Sequence, residues 1–275
     1  MYETTIQTAR LLAETVIREA GQICKAKFDH FAELRTKDEF GDVVTEVDLI
    51  AEEVIIKRIR EAFPEHQIHS EEAGIIGSEN DWLWMIDPLD GTNNFAIGLP
   101  VFSTSITLLY KREPVLGVIY EPLTDRLFVS ARGEGAFCNG RRIGVKPIAN
   151  IYRGNIGWIQ GHGVQNDPKA VALRQHIDVS FRRMLRLWAP TLLWCMLAKG
   201  NLDGIVLYNS EGDDLYSGLL MVQEAGGVVV DFDGNPFTGM KDEPYIIACH
   251  PDHKEPLLAA VRAGLGERDD SNEER

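Results

Sequence analysis

The chain has few cysteines, no long apolar run, no basic excess and no patterned histidines, and each absence narrows its function. Its 4 cysteines, Cys24, Cys138, Cys195 and Cys249, form no CxxC pair. That argues against a zinc ribbon or disulfide framework and leads us to expect reduced thiols in a cytoplasmic protein. No apolar run is long enough to cross a membrane, so no membrane partner is expected. Met1-Tyr2-Glu3 opens without a basic patch and apolar block, so no signal peptide is expected. Lys and Arg number 28 against 42 Asp and Glu, a formal net charge of −14. A general nucleic-acid binder would show a basic stripe instead. An anionic substrate stays open, because bound cations reverse local charge. The 7 histidines show no ligand spacing; His66 and His69 suit packing or surface, and His250 and His253 suit solvent. Gly133 and Gly135 lack the third glycine and helix start of a dinucleotide fingerprint.

What is present is a large apolar complement, 44% of 275 residues, enough to bury a substantial core. We expect a single domain over residues 1–265, built of two packed halves, about 1–150 and 151–265. The charged tail, 266–275, is expected to be disordered. Ile6, Ala9, Leu12, Val16, Ala20 and Ile23 recur at helical steps and predict an amphipathic helix from Thr5 to Phe28. Leu49 to Phe63 predicts a second helix, stopped by Pro64 and packed beside the first. Between them, Lys37, Asp38, Gly41 and Asp42 suggest a loop or hairpin.

Phe102–Tyr110, Pro114–Tyr120 and Arg126–Ser130 form β-rich runs of an antiparallel meander, with a glycine-punctuated turn at Gly133–Gly140. Short strands are expected at Asn155–Ile159 and Arg183–Arg186, then a helix at Thr191–Lys199 and a strand at Gly204–Tyr208. A helix at Leu215–Ala225 stops at Gly226-Gly227, and strands follow at Val228–Phe232 and Tyr245–Cys249. A last helix covers Glu255–Ala263. The fold class is layered α/β, without a simple parallel sheet.

Four acidic segments stand where local structure changes: Val44–Asp48, Ser70-Glu71-Glu72, Asp87–Thr92 and Gly212-Asp213-Asp214. Alone, each fits a helix cap, a solvated surface or a turn. Asp87-Pro88-Leu89-Asp90 differs, because it interrupts the apolar run Trp84-Met85-Ile86. Carboxylates at that edge must be paired or hold cations. The Gly91-Thr92 turn beside them can present backbone amides to an anion. Cations and a phosphate in one place are the chemistry this suggests.

Asp87-Pro-Leu-Asp-Gly-Thr-Asn-Asn-Phe95 resembles the first signature of the inositol monophosphatase family, within the lithium-sensitive, magnesium-dependent phosphatases. Asp214-Leu-Tyr-Ser-Gly218 and Glu224-Ala-Gly-Gly227 resemble the second signature at the family's spacing. Lys37…Asp42–Asp48, Ser70-Glu71-Glu72, Gly117–Tyr120 and Gly135–Gly140 resemble its other blocks, so the resemblance runs from Ala9 to Ala263. It implies an αβαβα five-layer sandwich, a homodimer and a small phosphorylated substrate.

It also implies two or three Mg²⁺ ions. Glu71, Asp87 and the Leu89 carbonyl would hold the first, and Asp87, Asp90 and Asp214 the second, with a third near Glu71. Gly91 and Thr92 amides would cradle the phosphate. Thr92, oriented by Asp48, would position the attacking water. Catalytic roles thus fall to Asp48, Glu71 and Thr92, and substrate contacts to Asp90, Gly91, Thr92 and Asp214.

Three departures fall where the family reads its substrate or supports the metal site. Leu207 stands where inositol monophosphatases commonly carry a hydroxyl-binding Glu, with Tyr208, Asn209 and Glu211 nearby. Trp188-Ala189-Pro190-Thr191 replaces a Gly-Ser-Ala-Ala pocket segment, and Asp213 replaces a Trp. Inositol phosphate is thus one of several expected substrates, beside sugar phosphates, fructose 1,6-bisphosphate, histidinol phosphate and nucleotide 3′-phosphates.

Overall fold

A computed structural model describes residues 2–31, 34–37, 43–210, 212, 215–241 and 243–266. The expectations placed on residues 38–42, on Asp213 and Asp214 and on the tail beyond 266 lie outside them. Helices α1 (Tyr2–Lys27) and α2 (Glu46–Ala62) pack against each other as the first layer. The buried stripe of α1 is Ile6, Ala9, Ala13, Val16, Ile17, Ala20 and Cys24. Leu12 and Ile23 flank that stripe, so the expected face is rotated slightly. Hairpin strands β1 (Leu34–Thr36) and β2 (Val43–Thr45) join the two helices.

The second layer is a sheet of β3 (Gln67–Ser70), β4 (Gly74–Ile76), β5 (Trp82–Asp90), β6 (Ser103–Tyr110), β7 (Glu113–Glu121), β8 (Arg126–Ala131), β9 (Gly135–Cys138) and β10 (Arg141–Arg142). It runs in the order β10-β9-β8-β7-β6-β5-β3-β4. The meander is there, but part of the expected glycine turn is the strand β9. Short helix α3 (Thr92–Ala96) follows β5.

Helices α5 (Pro190–Ala198) and α6 (Leu215–Glu224) make the third layer. The fourth is a mixed sheet of β11 (Asn155–Gln160), β12 (Arg183–Leu185), β13 (Gly204–Tyr208), β14 (Val228–Asp231) and β15 (Tyr245–Cys249), ordered β12-β11-β13-β15-β14. Helices α4 (Pro168–Ser180) and α7 (Lys254–Gly264) cover its outer face. This is the αβαβα sandwich. Three apolar cores separate the layers, and the middle one joins Met85, Leu109 and Ile119 of the first sheet to Trp194, Leu207 and Leu219. None of the described helices is long and apolar enough to cross a membrane.

The sequence reading assigns no element between 160 and 182, where α4 lies. Asp167 caps it by accepting the Ala170 N–H at 2.8 Å, and Pro168 follows at its first position. Its buried stripe is only Ala170, Leu173 and Ile177, too sparse to announce a helix. His253, expected in solvent, is 3% exposed, with Nε2 in hydrogen-bond reach of the Ile148 backbone.

The middle layer sits close to its neighbours because small residues allow it. A Cβ on Gly218 would lie 2.2 Å from Cγ of Trp194, so α5 and α6 touch only because that position is glycine. Glu224, at the end of α6, accepts the Gly133 and Gly135 N–H groups, each at 2.8 Å. It thereby ties α6 to the turn before β9. Glu224→Ala is expected to destabilise the fold by about 2 kcal/mol, since two charge-assisted bonds are lost from a partly exposed site. Urea unfolding followed by circular dichroism measures it, and an unchanged midpoint would remove this role.

Candidate functional site

The site grows from an irregularity in β5. Asp87 faces Ser105 of β6 and Asp90 faces Ser103, so three steps on one strand match two on the other. In a regular strand, residues three apart point to opposite faces. The inserted residue of this bulge resets the phase and puts both carboxylates on the face shared by Ser103 and Ser105. That face meets the middle helices: Ser105 Oγ lies 2.7 Å from Ser217 Oγ of α6, and Ser103 Oγ bonds Thr191 Oγ1 of α5. Asp87 and Asp90 are 7% and 4% exposed. Asp87 Oδ1 accepts the Leu89 N–H at 3.0 Å, closing the bulge on itself. Asp90 Oδ2 accepts the Thr191 N–H at 3.0 Å and the Thr191 hydroxyl, and Ser103 Oγ, 3.1 Å away, donates its one proton either to it or to Thr191 Oγ1.

Gly91 follows with φ of 95° and caps α3. A Cβ there would sit 2.9 Å from the Val101 carbonyl and 3.3 Å from that of Trp188. Glycine is therefore required twice, for its left-handed backbone and for contact with the segment before α5. Asn94 Nδ2 donates to Val101 O at 2.8 Å and to Leu187 O at 2.6 Å, locking the same two segments to the turn.

Asp48 reaches the turn from the first layer. It is fully buried at the start of α2. Its Oδ2 accepts the Thr45 N–H at 2.8 Å and the Thr45 hydroxyl at 2.6 Å, while Thr45 Oγ1 caps the helix through the Val47 N–H at 3.1 Å. Thr92 Oγ1 lies 2.9 Å from Asp48 Oδ1 and 2.8 Å from the Leu89 carbonyl. A hydroxyl has one proton, so it donates to only one of these at a time. Burial pushes the Asp48 carboxyl up; the bonds from Thr45 and Thr92 pull it back.

Glu71 follows β3, which pairs in parallel with β5, and its N–H donates to Ile86 O at 3.1 Å. That places Glu71 beside Asp87 at one end of the sheet. Glu52 of α2 fixes the next turn, accepting the Glu72 and Ala73 N–H groups at 3.1 and 3.0 Å. The Lys37 ammonium lies 2.6 Å from Glu71 Oε1 and also pairs with Glu72. Burial lowers the Lys37 pKa, but the two carboxylates outweigh it and hold it above the ordinary lysine value. Burial pushes the Glu72 carboxyl up to about 7, against the hydrogen bond from Lys37.

Asp48, Thr92 and the Leu89 carbonyl thus meet directly. Asp87 and Asp90 share a face, and Glu71 lies alongside. Asp214 is outside the described residues, and Leu215, next in the chain, opens α6. Among the described residues, no three or more His, Cys, Asp or Glu cluster tightly enough to hold a cation. The donors still fit a hard cation: carboxylates and a carbonyl, mostly buried, with no sulfur or imidazole. Glu71 already holds a positive charge, that of Lys37.

Sequence reasoning missed Thr45, Ser103 and Glu52. Thr45 was findable, because Thr-x-x-Asp before a helix is a capping pattern. Ser103 and Glu52 carry no local signal. Leu207, considered for reading the substrate, is 1% exposed in the middle core and pairs with Ile159 and Ile246. It offers no surface to a ligand. Tyr208 donates its hydroxyl to Asp167 at 3.1 Å on the other side of that sheet.

The chain is similar to known proteins in sequence and in fold. A sequence profile of the inositol monophosphatase family matches residues 5–265. The Nus factor SuhB of Pasteurella multocida is 34% identical over 81% of this chain and 85% of its own length. A fructose-1,6-bisphosphatase/inositol-1-monophosphatase of Aquifex aeolicus is 33% identical over 84% of this chain and 88% of its own. The solved structure of an inositol monophosphatase from an Anabaena (Nostoc) species superposes with a TM-score of 0.84 at 29% identity, covering 94% of this chain and 97% of that one. With profile, relatives and fold in agreement over nearly its whole length, the chain belongs to the inositol monophosphatase family.

Proposed function

We propose that this protein hydrolyses a small phosphate monoester with Mg²⁺, by direct attack of water. The observation that carries the reading is the contact of Thr92 Oγ1 with both Asp48 Oδ1 and the Leu89 carbonyl, at the bulge that aligns Asp87 with Asp90. Glu71, Asp87, the Leu89 carbonyl, Asp90 and Asp214 would hold the ions, two or three by the family resemblance. When bound, such ions lower the pKa of water and neutralise phosphoryl oxygens. Thr92 Oγ1, donating a hydrogen bond to Asp48 Oδ1, turns its lone pairs to a water and orients it for attack; as the water oxygen bonds phosphorus the ester P–O bond breaks, and a proton of the water leaves with the alcohol. The Leu89 carbonyl is then released from Thr92. The Gly91 and Thr92 amides begin a helix whose first N–H groups have no intrahelical partner, which suits a phosphate. No Cys or His nucleophile lies in these segments, so no phosphoenzyme is expected.

A homodimer and inhibition by Li⁺ belong to this reading through the family resemblance, and a cytoplasmic location through the scattered cysteines. Two named relatives, a bisphosphatase/monophosphatase and a Nus factor, favour different emphases. The second supports a partner-binding protein on the same fold. Hydrolysis of p-nitrophenyl phosphate separates them. The expected result is turnover with Mg²⁺, loss of at least about 100-fold with EDTA, as metal ions contribute several kcal/mol, and inhibition by Li⁺. Absence of turnover favours the binding protein, and turnover indifferent to Mg²⁺ overturns the metal-dependent mechanism.

A further inference from the structure

Trp188 combines features that packing does not explain. Its φ is 52°, a left-handed backbone that disfavours a bulky side chain. Such strain persists at functional sites, where surrounding structure over-determines it. The residue is 55% exposed, whereas Trp84, Trp158 and Trp194 are at most 1% exposed. Trp82 is stacked on His66 and Tyr2. Among the described residues, no ring and no hydrogen bond engages the Trp188 side chain. Neither backbone preference nor burial favours tryptophan here, and glycine would suit the conformation better.

The position explains the choice. Asn94 holds the Leu187 carbonyl at 2.6 Å, and Thr191 holds Asp90 through its N–H at 3.0 Å. The Trp188 carbonyl lies against Gly91. The Trp188 backbone is therefore held against the Asp90–Asn94 turn through the residues on both sides of it. We propose that Trp188 is a specificity residue whose exposed indole face stacks on a flat ring carried by the alcohol half of the phosphate monoester. An indole offers a large apolar face and a single donor, so it rewards a ring more than a polyol. The inference rests on the phosphatase reading, which places the phosphate at Gly91 and Thr92.

The test compares kcat/KM of the full chain with Mg²⁺ in wild type, Trp188→Gly and Trp188→Tyr. Ring-bearing substrates are adenosine 3′-phosphate, histidinol phosphate and p-nitrophenyl phosphate; glycerol 2-phosphate is the ringless reference. Stacking of one base on one aromatic corresponds to roughly 5- to 150-fold. The expected result is a fall of about tenfold or more in the ring-to-glycerol ratio for at least one ring class in Trp188→Gly, carried by KM, with recovery in Trp188→Tyr. The substrate that falls furthest identifies the ring as nucleobase, imidazole or phenyl. An unchanged ratio for all three overturns the proposal. So does a loss of dimer mass in Trp188→Gly with the ratio unchanged, which would put a second copy on the indole. If no ester is hydrolysed, the phosphatase reading fails, and quenching of Trp188 fluorescence by adenosine 3′-phosphate, histidinol phosphate and p-nitrophenyl phosphate decides stacking alone. Quenching absent from Trp188→Tyr supports it; no quenching by any of them overturns it.

Discussion

Asp90→Asn is expected to lower kcat at saturating Mg²⁺ by about a thousandfold or more while the protein stays folded. The carboxylate is 4% exposed, and its Oδ2 is surrounded by donors: Ser103 Oγ, the Thr191 N–H and the Thr191 hydroxyl. An asparagine can turn its carbonyl oxygen to those donors and keep the bulge closed. Its amide nitrogen then occupies the place of the second oxygen, and an N–H group cannot ligate a cation. The change thus removes one ligand and one negative charge without removing the link between β5 and α5. Metal ions contribute several kcal/mol to phosphoryl transfer, and each 1.36 kcal/mol is tenfold in rate. The fold is expected to lose only about 1 kcal/mol, the difference between a charge-assisted and a neutral hydrogen bond. Single-turnover kinetics with a thermal melt checks both parts. A kcat near wild type removes Asp90 from the metal site. A collapsed melting temperature makes it a structural residue instead.

The relation between these residues was only partly legible in the chain. Asp87 and Asp90 announce themselves, since an apolar run ending in Asp-Pro-x-Asp cannot continue as an ordinary strand. That the two carboxylates share a face is not legible, because it depends on the register against Ser103 and Ser105. The link from Asp48 to Thr92 spans 44 residues and joins different layers, and nothing local predicts it. Helix α1 was plain from its period, yet its buried face takes in Ala13, Ile17 and Cys24 and leaves the expected Leu12 and Ile23 only partly buried. Helix α4 escaped because its core stripe is thin. Leu207 shows the converse. Its position suggested a substrate contact, but strand alternation turns it into the middle core. The proposed specificity signal lies instead at Trp188, whose side chain has no ring or hydrogen-bond partner among the described residues.

Thr92→Ala carries the second large effect, an expected loss of about 100- to 10,000-fold in kcat, the range of a positioned proton-transfer group. The hydroxyl lies within reach of both Asp48 Oδ1 and the Leu89 carbonyl and donates to one of them at a time. Its removal leaves Asp48 without the bond that orients it toward the turn, while the Thr45 bonds and the helix cap remain. Water at the site then loses its orienting lone pairs, but the carboxylates of Asp87 and Asp90 are untouched. The loss should therefore appear in kcat, with the Mg²⁺ concentration for half-activity shifting less than threefold. Thr92→Ser restores the hydroxyl and should recover activity to within about tenfold, because only a methyl contact is missing. A purely structural threonine would behave differently. Serine and alanine would then lose stability in step with activity, and Mg²⁺ affinity would weaken as the bulge loosened. Asp48→Asn supplies the coupling. Its amide can still meet Thr92, but it no longer takes the hydroxyl proton as an anion. If Asp48 and Thr92 act as one unit, the double variant should lose little more than the worse single one, as groups in one network are non-additive. Losses that multiply would separate the two residues and leave Thr92 without its partner in orienting water.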